Sequence, residues 1–143
     1  SVLGAACSGA GGGGAEAYEL AAGALEFCGM SAVANRAAAS LGLLDRKRLE
    51  LARAMATRPR LLLLDEIGGG LTDAKASELV DAILELRRRG IGIVWIEHIV
   101  HLLISATDRL ICMDAGAIIA DGTPEAVLSD PTVISAYLGG TPE

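Results

Sequence analysis

Residues 61–66, Leu-Leu-Leu-Leu-Asp-Glu, constrain the fold more than any other stretch of this chain. Four apolar residues in a row predict a strand buried on both faces, as in the middle of a parallel sheet. A helix over about 73–89 follows, with Ala76, Leu79, Val80, Ile83 and Leu86 at 3.6-residue spacing. Ile91 to Ile96 then reads as a second buried strand. Strand, helix and strand make a βαβ unit, so the two strands are expected to be parallel with a right-handed crossover. Their carboxyl ends share one sheet edge, which brings Asp65, Glu66 and His98 together. Acids at such an edge sit where open α/β sheets bind ligands. In a nucleotide-hydrolysing site the first acid can hold magnesium and the second can orient the attacking water. The competing reading is a core strand followed by two solvated acids.

Before the strand, residues 15–28 predict a helix with Leu20, Ala24 and Phe27 on one face, ended by Gly29. A short helical piece near Ser31 to Ala39 and a turn at 40–44 lead to a helix from Asp45, its expected N-cap, through Leu49, Ala52 and Met55. Arg58-Pro59 stops that helix. After residue 109 the period changes: Arg109–Met113 and Ala117–Ala120, joined by Asp114-Ala115-Gly116, read as an antiparallel hairpin. Short helices near 124–128 and 132–138 follow. Glycines at 9 and 11–14 formally match G-x-G-x-x-G, but Ala5-Ala6-Cys7-Ser8 is a poor strand to precede a dinucleotide fingerprint, so the run reads as a linker.

Composition narrows the classes. The 143 residues suit one domain, and with 52% hydrophobic but only 3% aromatic residues its core must be aliphatic. A net charge of −6 argues against nucleic-acid binding, which needs basic surface. The clusters Arg46-Lys47-Arg48 and Arg87-Arg88-Arg89 read as solvated helix faces or ends. Cys7, Cys28 and Cys112 are too far apart to indicate a zinc site or a disulfide framework. No apolar stretch reaches the roughly 18 residues that span a bilayer, and no secretory leader is evident, so a cytoplasmic location is expected.

With these features in order, the chain resembles the ATP-hydrolysing subunit of an ABC transporter over essentially residues 1–139. Leu61–Glu66 resembles its Walker B strand, and Gly70-Leu71-Thr72-Asp73 the D-loop that follows. His98 resembles the switch histidine that reaches the γ-phosphate, and Arg48–Ala54 the helix after the signature motif. The tail, from Ile119-Ala120-Asp121-Gly122-Thr123-Pro124-Glu125 to Ala136-Tyr137-Leu138-Gly139, is similar to the branched-chain amino acid importer branch.

The resemblance implies an α/β fold: a partial P-loop-NTPase-like core of parallel strands flanked by helices, part of an α-helical subdomain, and a carboxyl-terminal hairpin with short helices. Residues 1–58 would belong to the helical (signature) subdomain and 59–143 to the carboxyl-terminal half of the ATPase core. It further implies ATP and magnesium as ligands, a head-to-tail dimer of ATPase subunits, membrane permease partners, no nucleic acid, and a position at the inner face of the cell membrane. Asp65 would hold magnesium through water, Glu66 would act as general base, and His98 would sense the γ-phosphate. Ser40 and Gly42 would approach the nucleotide held by the partner, and Asp73 would act across the dimer interface, with a helix N-cap as its alternative. Two departures from the family pattern stand out: Leu41-Gly42-Leu43-Leu44-Asp45 where the signature is usually Leu-Ser-Gly-Gly-Gln, and Ile67 where proline is usual. No G-x-x-x-x-G-K-[ST] occurs, and neither lysine, Lys47 or Lys75, follows a glycine loop. The chain is therefore expected to be the carboxyl-terminal part of an ATPase for import of branched-chain amino acids or similar solutes, inactive by itself. The alternative is a non-catalytic regulatory or interaction domain derived from such an ATPase.

Overall fold

In a computed structural model, residues 1–8 and 14–137 are described. They form two compact units, Ser1–His98 and Ile99–Glu143. Among the described residues no helix is long and apolar enough to cross a membrane.

The first unit is built on the predicted βαβ element. Strand β1 (Leu61–Asp65) pairs in parallel with β2 (Gly92–Ile96), with Leu61 opposite Gly92 and Asp65 opposite Ile96. The connecting helix α4 (Asp73–Arg88) buries Ala76, Leu79, Val80, Ile83 and Leu86, the residues the 3.6 spacing selects. Thr72 is its N-cap and Asp73 its first helical residue, so the alternative reading of Asp73 as the N-cap is not met.

The expectation that β1 is buried on both faces is not met. Leu62 and Leu64 are buried, whereas Leu61 and Leu63 are 56% and 71% exposed. The same side of β2 exposes Val94 and Ile96. Successive strand side chains point to opposite faces, and within this two-stranded sheet helices cover one face only.

That covered face meets helices from the amino-terminal half. Helix α1 (Val2–Cys7) was not foreseen; Ser1 caps it by accepting the Gly4 N–H at 3.2 Å, and Val2, Leu3 and Ala6 are buried. Six residues carry too little periodicity to stand out in a sequence, and tertiary packing rather than propensity fixes so short a helix. Helix α2 (Ala15–Phe27) buries Ala17, Ala21, Ala24 and Leu25; Leu20 and Phe27 of the expected face are only half-buried, and Arg89 lies over the Phe27 ring at 4.5 Å. Single 3₁₀ turns at Ser31–Val33 and Ala38–Ser40 replace the expected short helix. Helix α3 (Leu43–Met55) starts two residues before Asp45, with Gly42 as N-cap, so Asp45 stands in the first turn. The buried set from α1, α2, α3, β1 and α4 forms one aliphatic cluster around Leu25, Met30, Leu79 and Leu86. Of the glycine run, only Gly14 belongs to the described residues, at φ 97° ahead of α2.

The second unit contains the hairpin β3 (Leu110–Asp114) and β4 (Ala117–Gly122), antiparallel as expected, with a bulge between Cys112 and Met113. Ala115 and Gly116, at φ 46° and 82°, turn it; two positive-φ central residues match the right-handed twist of the strands. Helix α5 (Val100–Ala106) precedes it, and α6 (Pro124–Leu128) and α7 (Pro131–Tyr137) follow. Thr123 caps α6 through its Oγ1, and the Tyr137 hydroxyl donates to the Met113 carbonyl.

Candidate active site at the carboxyl edge of the sheet

Asp65 is the last residue of β1, and the Glu66 N–H donates to the Ile96 carbonyl at 2.9 Å, extending the ladder by one bond. This bond carries the two chain segments to the same edge together. Immediately after it, Glu66 takes φ 46°, a left-handed conformation that non-glycine residues rarely hold, and residues 67–70 form a turn. Both carboxylates are exposed. His98 Nδ1 lies 3.6 Å from Glu66 Oε1, so the predicted meeting of Glu66 and His98 is present in the first unit.

Glu97 directly follows β2, a place where an acid is ordinarily solvated. Its side chain is instead fully buried, 0% exposed, beside an imidazole that is 66% exposed. Its Oε2 accepts the Gly68 N–H at 3.1 Å, and its Oε1 accepts the His98 N–H at 3.0 Å. Buried carboxylates persist where donors satisfy them, and here the β1 turn supplies one donor and the β2 end the other. Sequence reasoning missed this role because the partner N–H groups belong to the backbone, which carries no residue-type signal.

The basic cluster of α3, on the helix surface, makes specific contacts. Lys47 Nζ donates to the Glu66 carbonyl at 3.3 Å, Arg46 Nε to the Leu41 carbonyl at 2.9 Å, and Arg48 pairs with Glu78 at 2.5 Å. These contacts fasten α3 to the turn after β1 and to α4. A groove of about 210 Å³ runs beside them, its lining including Lys47, Glu50, Leu63 and Asp65.

Ser40 and Gly42 are exposed and lead into α3. The Ser40 hydroxyl donates to the Ala37 carbonyl at 2.8 Å. A Cβ at Gly42 would meet nothing within 4 Å, whereas one at Gly70 (φ 75°) would come within 3.1 Å of Leu43 Cδ2. The Leu43 side chain thus fills the space over Gly70.

Among the described residues no group of three or more His, Cys, Asp or Glu side chains is gathered to hold a metal ion. Asp65 nevertheless offers an exposed hard oxygen at the strand end, the donor type magnesium takes, and magnesium commonly uses one or two carboxylates and completes its shell with water and phosphate.

The model of the branched-chain amino acid ATP-binding cassette transporter family matches residues 117–143. The high-affinity branched-chain amino acid transport ATP-binding protein BraF of Pseudomonas aeruginosa is 42% identical over 125 residues, which are 87% of this chain and 49% of that protein. LivG of Salmonella typhimurium, of the same description, matches with the same identity and coverage. The chain thus spans about half the length of the curated relatives it matches. The solved ADP conformation of an ATP-binding cassette of an ABC transporter superposes with a TM-score of 0.83 at 33% identity, covering 90% of this chain and 52% of that one. The α/β fold is that of ABC ATPases, and the chain belongs to the family of ABC transporter ATP-binding subunits, most like the branched-chain amino acid branch.

Proposed function

We propose that this chain carries the Walker B, D-loop and switch-histidine residues of an ATPase that drives import of branched-chain amino acids or similar small solutes. The observation that supports this reading most is the meeting of Glu66 and His98 next to Asp65 at one sheet edge. Residues 1–58 contribute part of the helical subdomain and 59–143 the carboxyl-terminal half of the core. Two complete subunits act as a head-to-tail dimer on membrane permease subunits, at the inner face of the membrane.

In this mechanism Asp65 would hold magnesium through water, and the ion would supply neutralisation of phosphate charge. Glu66 accepts a proton from the attacking water, or orients that water by hydrogen bonding. Its exposed carboxylate is free to reach outward because the positive φ at Glu66 turns the chain there. His98 contacts the γ-phosphate. Ser40 and Gly42 lie where the partner's nucleotide approaches, and Asp73 acts across the dimer. With no P-loop among its residues, the isolated chain neither binds ATP tightly nor hydrolyses it.

Calorimetric titration of the chain with Mg-ATP tests the last point, and tight binding would overturn it. In a subunit completed with a phosphate loop, Glu66→Gln should abolish hydrolysis and retain ATP binding; unchanged turnover would refute the base role. A non-catalytic regulatory domain is the second reading, favoured by Leu43 in the signature position against Gly70. It predicts no hydrolysis even by the completed subunit.

A further inference from the structure

One carboxylate, that of Glu97, ties together the two segments from which Glu66 and His98 project. Its Oε2 takes the Gly68 N–H of the turn after β1, and its Oε1 takes the His98 N–H after β2. The same Oε1 lies 3.3 Å from His98 Nδ1, closer than the 3.6 Å of Glu66 Oε1. Glu66 is 62% exposed and free to swing away; the Glu97 side chain is fully buried and held at both oxygens. An ionised carboxylate only accepts hydrogen bonds, so the proton belongs on the ring nitrogen nearest it. Which nitrogen of a histidine is protonated is set by the partner of the other.

We propose that Glu97 is a positioning residue for the ATPase reaction. It fixes His98 as the Nδ1–H tautomer, leaving Nε2 as the nitrogen that meets an incoming group, and locks His98 in register with the Glu66–Gly70 turn. This rests on the proposed role of His98, but the tautomer does not. Replacing Glu97 by glutamine keeps the volume while turning one acceptor into a donor, which sets an NH₂ against either the Gly68 N–H or the His98 edge. Loss of the correct tautomer with geometry otherwise intact is costly where a histidine works in catalysis.

The test is long-range ¹H–¹⁵N correlation of the imidazoles in the ¹⁵N-labelled chain without nucleotide, above the ring's titration. The chain has two histidines, His98 and His101, so His101→Gln assigns the spectrum. The expected result is a protonated Nδ1 and bare Nε2 at His98, an unchanged pattern in Glu66→Gln, and a shift toward the Nε2–H form in Glu97→Gln. An Nε2–H tautomer in the wild-type chain, or the same pattern in folded Glu97→Gln, would overturn the proposal. The wild-type spectrum decides by itself should Glu97→Gln fail to fold. In the completed subunit, Glu97→Gln should lower kcat on the order of 10- to 100-fold, the range seen when partners that orient ligating histidines are removed, with little change in KM; Glu97→Asp, which keeps the charge, should recover part of it. An Nδ1–H His98 in a subunit indifferent to His98→Ala would sink the functional reading while leaving the tautomer assignment standing.

Discussion

Two adjacent leucines of β1 should respond oppositely to truncation. Leu62 is 4% exposed and belongs to the aliphatic cluster; Leu63 is 71% exposed. Leu62→Ala removes three buried carbons, about 2.4 kcal/mol at about 0.8 kcal/mol per CH₂, and leaves a void, so the loss should fall near 3 kcal/mol within the usual range of about 2–5. Leu63→Ala removes the same atoms from a face open to solvent. About 30% of the transfer value is at stake and no cavity forms, so the loss should stay below about 0.7 kcal/mol. Urea unfolding followed by the fluorescence of Trp95, the single tryptophan, in register with Leu64, reads both. With an m-value of about 2 kcal/mol/M the midpoint should fall by about 1.5 M for Leu62→Ala and by at most about 0.4 M for Leu63→Ala, with m unchanged. Equal shifts for the two variants, unchanged on tenfold dilution, would refute the one-sided burial of the strand.

Three further outcomes follow from particular contacts. Glu66 sits at φ 46°, so Glu66→Gly should be more stable than Glu66→Ala by about 1 kcal/mol in the same melts, while both lose the carboxylate; the reverse order would remove backbone strain from the account. Burial pushes the Cys28 thiol up to about 12, so Cys28 should resist maleimide at pH 8 in the native chain and react in urea, as mass spectrometry of the peptides would show. The bidentate hydrogen bonds from Arg109 (2.7 and 2.6 Å) hold the Asp121 carboxyl below the usual aspartate value. A depressed carboxylate contributes stability that is present above its unfolded value, about 3.9, and is lost as pH falls through the lower folded value. An NMR titration should therefore give Asp121 a midpoint that rises in Arg109→Gln, and an unmoved midpoint would exclude the pair.

Periodicity and local chemistry determined much of this protein. The spacing of Ala76, Leu79, Val80, Ile83 and Leu86 selected the buried face of α4, and the βαβ order made β1 and β2 parallel, which put Asp65, Glu66 and His98 on one edge. The Asp114-Ala115-Gly116 turn and the short helix from Pro124 were equally legible, because Gly116 adopts positive φ without strain and Pro124 has its φ preset for a first helical residue. What covers a strand is a different matter. Leu61 and Leu63 are chemically identical to Leu62 and Leu64, and only the helices packed on one side of the sheet separate them. Helix α1 is too short to announce itself without the core it enters. Glu97 looked like any acid at a strand end; its burial and its two backbone donors come from the turn at Gly68, 29 residues earlier in the chain, which only the paired strands bring to it.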